Sequence, residues 1–140
     1  MQFRDLKKQY EVLEIKAGIF DVIQSADFIS GPQVKDLEMQ LADYVGVKHC
    51  VTCGNGTDAL SMALMAWNIK AGDAVFVPDF TFFASGEVVS FEGATPVFVD
   101  VDEDTYNIDP FKLEEAIQAV LEEGILTPKV IIAVDLFGLP

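Results

Sequence analysis

A glycine-rich turn between a predicted strand and a predicted helix carries the strongest chemical signal in the sequence. It reads Cys53-Gly54-Asn55-Gly56-Thr57-Asp58-Ala59-Leu60. Glycines let the backbone turn sharply and approach a ligand, and the free N–H groups of a first helical turn bind anions. Thr57 adds a hydroxyl donor, whereas the Asp58 carboxylate would repel an anion, so Asp58 is expected to contribute its backbone N–H. The turn predicts a phosphate site, with a simple N-capped turn as the alternative.

Two better-known phosphate loops are excluded at this position. The dinucleotide fingerprint requires a third glycine where this chain has Ala59, and a Walker loop requires a Gly-Lys-Ser/Thr sequence that is absent.

An aromatic cluster follows the second predicted strand. It reads Phe80-Thr81-Phe82-Phe83. One ring in such a loop could stack on a flat heteroaromatic ligand. Core packing is the alternative, and we expect it for Phe80 and Phe83.

The cysteines do not predict a metal site. Cys50 and Cys53 form a C-x-x-C beside His49, the single histidine. A structural zinc site requires four ligands, and the sequence has no second pair. Because the pair lies in a strand-like run, we expect two small buried residues rather than a redox motif.

The first 48 residues predict helices. Apolar residues recur at three- and four-residue intervals at Phe3, Leu6, Tyr10, Leu13, Ala17 and Phe20. Pro32 is well placed to open a second helix, and Gly46 to end it.

From residue 49 onward, strand and helix patterns alternate. Strands are predicted at 49–53, 74–78, 96–100 and 129–134, and helices begin near Thr57, at Ala84 and after Asp109-Pro110. The last strand is apolar on both faces, which is typical of buried parallel sheets. We therefore predict an α/β fold in one incomplete domain, with a helical segment (1–48) and a βαβαβαβ part (49–140). The chain stops where ligand loops usually begin, and we expect a fragment.

Charge excludes several partners. The formal net charge is −14, from 23 acidic and 9 basic residues, which disfavours nucleic acid and anionic membranes. The start lacks the apolar region of a signal peptide, and no run is long enough to span a bilayer. We expect a cytoplasmic protein.

Several motifs in order resemble the DegT/DnrJ/EryC1/StrS family of pyridoxal-phosphate (PLP) sugar aminotransferases. The resemblance lies in the cofactor loop, the loop before the second helix, the aromatic loop, and the third strand with its following turn. In this sequence they read Asn55-Gly56-Thr57-Asp58-Ala59-Leu60, Phe28-Ile29-Ser30-Gly31-Pro32-Gln33-Val34, Pro78-Asp79-Phe80-Thr81-Phe82, and Pro96-Val97-Phe98-Val99-Asp100 with Thr105-Tyr106-Asn107-Ile108-Asp109.

The resemblance implies roles for four residues. Gly56, Thr57 and Asp58 match the residues that hold the PLP phosphate, and Phe82 matches the ring that stacks on the pyridine. Phe137 stands where tyrosine is common, so no hydroxyl role is expected there. The Schiff-base lysine of the family would lie beyond residue 140, as would the aspartate that pairs with the pyridine nitrogen. No catalytic residue is assigned to this chain, which is expected to be inactive alone.

The resemblance also implies function and fold. It predicts transfer of an amino group, usually from glutamate, to a keto-sugar nucleotide by a homodimer, with a leaning toward UDP-linked 3-keto sugars. A PLP-dependent sugar 3-dehydratase, with histidine in place of the lysine, and a non-catalytic binding or interaction module remain alternatives. The fold would be the N-terminal portion of the fold type I large domain. In that fold the third, second and fourth strands can form a sheet here, while the first loses its neighbour. Unpaired apolar strand edges predict self-association.

Overall fold

A computed structural model of the chain describes residues 5–11 and 13–139. The chain divides into two compact units, residues 1–52 and residues 53–140. The first unit contains helices α1 (Leu6–Tyr10), α2 (Leu13–Ser25) and α3 (Pro32–Val45). The second alternates helix and strand: α4 (Gly56–Ala66), β1 (Asp73–Pro78), α5 (Ala84–Phe91), β2 (Thr95–Val99), α6 (Pro110–Glu123) and β3 (Thr127–Ile131). Across the described ranges, no helix has the length and apolar character that crossing a membrane requires.

In the first unit, helix α3 begins and ends at the residues predicted to start and stop it. Pro32 is the first residue of α3, where a missing N–H costs nothing because no intrahelical acceptor exists. Gly46 ends that helix at φ 77°, and its N–H donates to the carbonyl of Ala42 at 3.0 Å. A left-handed residue at this position favours glycine, which has no Cβ to clash. The predicted apolar face of the leading helices begins at Phe3, which lies outside the described residues.

The strand predicted at 49–53 does not form. In the first unit, the backbone N–H and the hydroxyl of Thr52 both donate to Glu38 Oε1, each at 2.9 Å. These two bonds lower the pKa of Glu38, the backbone bond being the larger cause. The prediction was wrong because a strand requires a neighbouring strand to satisfy its backbone groups, and here a side chain satisfies one of them.

The second unit contains a three-stranded parallel sheet in the order β2-β1-β3. Val75 on the central strand pairs with Pro96 of β2 and with Val130 of β3. These are the third, second and fourth predicted strands, so the predicted pairing is confirmed. The α/β class follows from the parallel pairing through helical connections.

Central strand β1 is buried along its whole length, and its two faces support two cores. Val75 and Val77 pack with residues of α4 and α5, and both are 0% exposed. Ala74 and Phe76 point the other way and pack with Val120 of α6. This alternation follows from the two-residue period of a strand, and the helices on both faces are typical of parallel sheets.

Strand β3 differs from the prediction that it is buried on both faces. Thr127, Lys129 and Ile131 are exposed, while Pro128 and Val130 are half-buried. The reason is position, because β3 lies at one edge of the sheet and β1, at the centre, is the strand that the helices cover on both sides.

The N-cap of α6 follows the predicted chemistry. Asp109 accepts hydrogen bonds from the N–H groups of Phe111 (2.7 Å) and Lys112 (3.2 Å), with Pro110 as the first helical residue. Gly93, two residues beyond α5, adopts φ 76°. The starts of α5 at Ala84 and of α6 after Asp109 agree with the predicted ones.

Candidate functional site

Asn55 fixes the start of α4. Its Oδ1 accepts a hydrogen bond from the N–H of Asp58 at 3.0 Å, and its Nδ2 donates to Asp58 Oδ2 at 3.1 Å. This reciprocal pair holds the Asp58 carboxylate against Asn55, on the side of Gly54. The Asp58 N–H, which we expected to contribute to an anion site, is therefore already used by the cap.

The first two N–H groups of α4 have no acceptor among the described residues. They belong to Gly56 and Thr57, at the positive end of the helix dipole. A Cβ built on Gly56 would meet no atom within 4 Å, so the space beside this backbone is open. These two donors, with the Thr57 hydroxyl, are suited to an anion.

Gly56, Thr57 and Phe82 line one cavity of about 360 Å³, here called the Phe82 cavity. Its other lining residues come from α4, from the loop and helix after β1, and from the segment after β3: Leu60, Thr81, Ala84, Ser85, Val134 and Leu136. The Phe82 side chain is 75% exposed, which leaves its ring free to contact a ligand. The cavity therefore joins anion donors at one helix end to an accessible aromatic ring.

A ligand with a phosphate and a flat ring, such as PLP, fits this set of residues. The volume is within the range of small-molecule sites, and a mainly apolar lining with a few polar groups is typical of them. The polar part includes the hydroxyls of Thr81 and Ser85, which lie 3.0 Å apart and satisfy each other. Leu60, Val134 and Leu136 form the apolar part.

Of the four predicted cofactor residues, the cavity brings together three. Asp58 does not line it, because its carboxylate and its N–H are both bonded to Asn55. The apolar residues Val134 and Leu136 were not predicted. Their place after the last predicted strand could have indicated them, because residues beyond the carboxyl ends of parallel strands form the ligand crevice of α/β sheets.

Two predictions about burial near the site were wrong. Phe80 and Phe83, expected in the core, are 51% and 74% exposed. They precede α5 in a loop, and Phe80 packs on the ring of Tyr106, with centroids 5.4 Å apart. Cys53, expected to be buried, is exposed, and Cys50 is only half-buried, because the strand that would have buried them is absent.

Comparison with known proteins supports the resemblance seen in the sequence. The chain matches the DegT/DnrJ/EryC1/StrS aminotransferase family over residues 9–140. It is 46% identical over 142 aligned residues to UDP-2-acetamido-2-deoxy-3-oxo-D-glucuronate aminotransferase of Pseudomonas aeruginosa. That alignment covers 99% of this chain and 37% of the relative.

Solved structures show the same fold. A DegT DnrJ EryC1 StrS aminotransferase from Brucella abortus superimposes with a TM-score of 0.94 at 52% identity, over 100% of this chain and 38% of that one. DesV of S. venezuelae, solved in complex with a ketimine intermediate, gives a TM-score of 0.86 at 37% identity, over 99% of this chain and 36% of that one. Members of the family are PLP-dependent aminotransferases, some solved with PLP or PMP. The predicted fold, part of the fold type I domain, is confirmed.

Proposed function

This chain belongs to the DegT/DnrJ/EryC1/StrS aminotransferase family, and from that premise we propose that it is the N-terminal part of a PLP-dependent aminotransferase that aminates a keto-sugar nucleotide. It spans 37% of the length of the P. aeruginosa relative, so the activity, substrates and partners of the whole protein belong to the proposal. The observation that carries it is the Phe82 cavity, in which Gly56, Thr57 and Phe82 meet.

In this proposal the chain's own residues hold the cofactor at both ends. The free N–H groups of Gly56 and Thr57, with the Thr57 hydroxyl, bind the phosphate and compensate its charge. The Phe82 ring would stack on the pyridine. Asp58 contributes indirectly, by keeping the Asn55 cap and the first turn of α4 in place.

The apolar residues that line the cavity have a different role in this proposal. Leu60, Val134 and Leu136 line the cavity and would keep water from one side of a bound phosphate, which would strengthen the electrostatic contacts that hold it. PLP, when bound, supplies an electron sink for the charge that develops during amino transfer. No lysine is among the residues that line the cavity, which supports placing the covalent PLP-binding lysine of the family beyond residue 140.

For the whole protein we propose a UDP-linked 3-keto sugar as acceptor, glutamate as amino donor and a homodimer as the active form. The name of the P. aeruginosa relative, a UDP-linked 3-oxo-glucuronate aminotransferase, supports the acceptor class. Without the downstream lysine, this chain alone is expected to transfer no amino group.

The test is to read the coding sequence past codon 140 and express the longer protein with PLP. A downstream lysine that carries PLP after borohydride reduction, with glutamate-dependent amination of a UDP-3-keto sugar, is the expected result. Histidine at that position would instead establish the dehydratase alternative. A stop codon after Pro140 would refute the enzyme proposal and leave the binding module.

A further inference from the structure

Residues 100–109, here called the 100–109 loop, join β2 to α6 and are tied together at many points. The Asp102 N–H donates to the Asn107 carbonyl (2.9 Å), the Tyr106 N–H to the Asp102 carbonyl (2.9 Å), and the Asp109 N–H to the Asp100 carbonyl (3.1 Å). Asp102 Oδ1 also accepts from the N–H and the hydroxyl of Thr105, at 2.8 and 2.9 Å. A loop closed in this way has few conformations and can act as a fixed support.

Tyr106 adopts a backbone conformation that a bulky side chain rarely takes. Its φ is 59°, in the left-handed region, and such an outlier persists only where its surroundings hold it in place. This conformation directs the Tyr106 ring between two others. The ring of Phe80 lies 5.4 Å away, and that of Phe137 lies 5.5 Å away in an edge-on arrangement.

The Asn107 side chain contacts the segment 135–139, as the Tyr106 ring does. Its Nδ2 donates to the carbonyl of Leu139 at 2.8 Å, across 32 residues of sequence. Its Oδ1 is buried and has no partner among the described residues. A buried acceptor without a partner is unfavourable. The bond from Nδ2 to the Leu139 carbonyl is the hydrogen bond that links the Asn107 side chain to this segment.

The segment 135–139 contributes one residue to the wall of the Phe82 cavity, directly before these two contacts. Leu136 lines the cavity together with Thr57 and Phe82, and Tyr106 contacts the next residue along. The segment has one internal bond that fixes its turn, from the Gly138 N–H to the Asp135 carbonyl at 3.0 Å. Its position therefore depends on contacts from outside.

We propose that Tyr106 and Asn107 are positioning residues for the cofactor, because they anchor Phe137 and Leu139 and so hold Leu136 in the wall of the Phe82 cavity. Neither residue lines the cavity itself. The inference rests on the proposed function for its effect on PLP, but the anchoring of the segment is independent of any ligand.

The first measurement is hydrogen exchange of the peptide that covers 135–139, in the full-length protein without PLP. Asn107→Ala is expected to speed exchange at Gly138 by about tenfold, the effect of one lost hydrogen bond in a segment that opens locally. Tyr106→Ala should act in the same direction, while Tyr106→Phe, which keeps the ring, should match the wild type. Asp109→Ala removes the cap of α6 without touching the segment, and controls for general loss of stability.

The second measurement is the Kd for PLP in a double-mutant cycle with Leu136→Ala. Asn107→Ala should raise the Kd by about two- to tenfold in the wild-type background and have little effect when Leu136 is already alanine. Equal effects in both backgrounds, or exchange at 135–139 no faster than in Asp109→Ala, would overturn the positioning role. A wild-type protein that binds no PLP would contradict the proposed function, and the exchange measurement would still decide whether Asn107 anchors the segment.

Discussion

At the scale of single residues, the proposed cofactor site combines hydrogen bonds to a charged group with aromatic stacking. A hydrogen bond to a charged group contributes about 1.5–3 kcal/mol, and an aromatic pair about 0.5–1.5 kcal/mol beyond its burial. The contacts of Thr57 with a phosphate should therefore matter more than the stacking of Phe82, although both line the same cavity.

The hydroxyl of Thr57 is the first residue to test. Thr57→Val keeps the shape and removes the donor, so the Kd for PLP of the full-length protein should rise by about 10- to 100-fold. Thr57→Ser retains the hydroxyl and should remain within a few-fold of wild type. Fluorescence titration with PLP gives both constants, and equal Kd values for the valine and serine variants would rule out a hydroxyl contact.

The ring of Phe82 gives a smaller, separable effect. Phe82→Ala should raise the Kd for PLP by about two- to tenfold, whereas Phe82→Trp should keep the affinity. Because the side chain is 75% exposed, the free energy of unfolding should not fall with the alanine change. A loss of stability as large as the loss of binding would mean that the ring packs in the fold instead of contacting a ligand.

The stability of the 100–109 loop should depend on pH through Asp102. The N–H and the hydroxyl of Thr105 lower the pKa of Asp102 below its ordinary 3.8. A lowered pKa in the folded state means that the stabilisation is present above pH 3.8 and is lost as pH falls through the folded pKa.

The free energies of unfolding of wild type and Asp102→Asn, from urea titrations, should thus differ at neutral pH and converge in acid. Asp104→Asn removes a carboxylate from the same loop and leaves the bonds of Thr105 intact, so it controls for the loss of one negative charge. A constant difference between wild type and Asp102→Asn across the acid range would refute the assignment.

The sequence predicted residue types better than it predicted their geometry. The family resemblance implied that Gly56, Thr57 and Phe82 hold the cofactor, and these three residues line one cavity. That the N–H of Asp58 is used by Asn55 follows from the side-chain conformation of Asn55, which the spacing of residues does not reveal. The exposure of Phe80 and Phe83 depends on where the chain runs after β1, and apolar composition alone favours the core.

At the scale of elements, the start of α4 is expected to contribute both to folding and to the proposed binding of PLP. The cap of Asn55 holds the first turn of α4, whose residues Gly56 and Thr57 line the Phe82 cavity. Helix α6 has an equivalent cap, Asp109, which lies outside the cavity. The two caps form a natural pair for separating stability from function.

Removing either cap should lower the free energy of unfolding by about 1 kcal/mol. Asn55→Ala should in addition weaken PLP binding, because it loosens the first turn of α4 and releases the Asp58 carboxylate. Asp109→Ala should leave the Kd for PLP unchanged. Urea denaturation and PLP titration of both variants provide the comparison, and a similar loss of affinity in both would show that the cap of α4 has no special role.

Elements whose signals are local were predicted well, and those that need a distant partner were not. The starts and ends at Pro32, Gly46 and Asp109 follow from backbone geometry. The strand at 49–53 failed because its formation depends on a neighbouring strand, and β3 is less buried than its apolar sequence suggests because it lies at an edge. Strand order was predicted only through the family resemblance.

At the scale of the whole molecule, the sheet has two edges without a strand neighbour among the described residues, at β2 and at β3. Ile131 on β3 is 47% exposed. Unpaired strand edges with apolar side chains tend to pair with other chains. Self-association of the 140-residue chain is the expected consequence.

Sedimentation velocity over a range of concentrations should show dimers or larger species of this chain. Ile131→Lys, which places a charge at the edge, should shift the distribution toward monomer. Phe111→Lys, at an exposed site on α6 (78%), adds the same charge away from both edges and should have no effect. A wild-type chain that stays monomeric at high concentration would contradict this expectation.

We expect the start of α4 and the ring of Phe82 to hold PLP together. The most direct measurement is a crystal structure of the full-length protein with PLP. The phosphate should lie within hydrogen-bond distance of the Gly56 and Thr57 N–H groups and the Thr57 hydroxyl, and the pyridine should stack on Phe82. PLP bound elsewhere, or a phosphate held without α4, would contradict it.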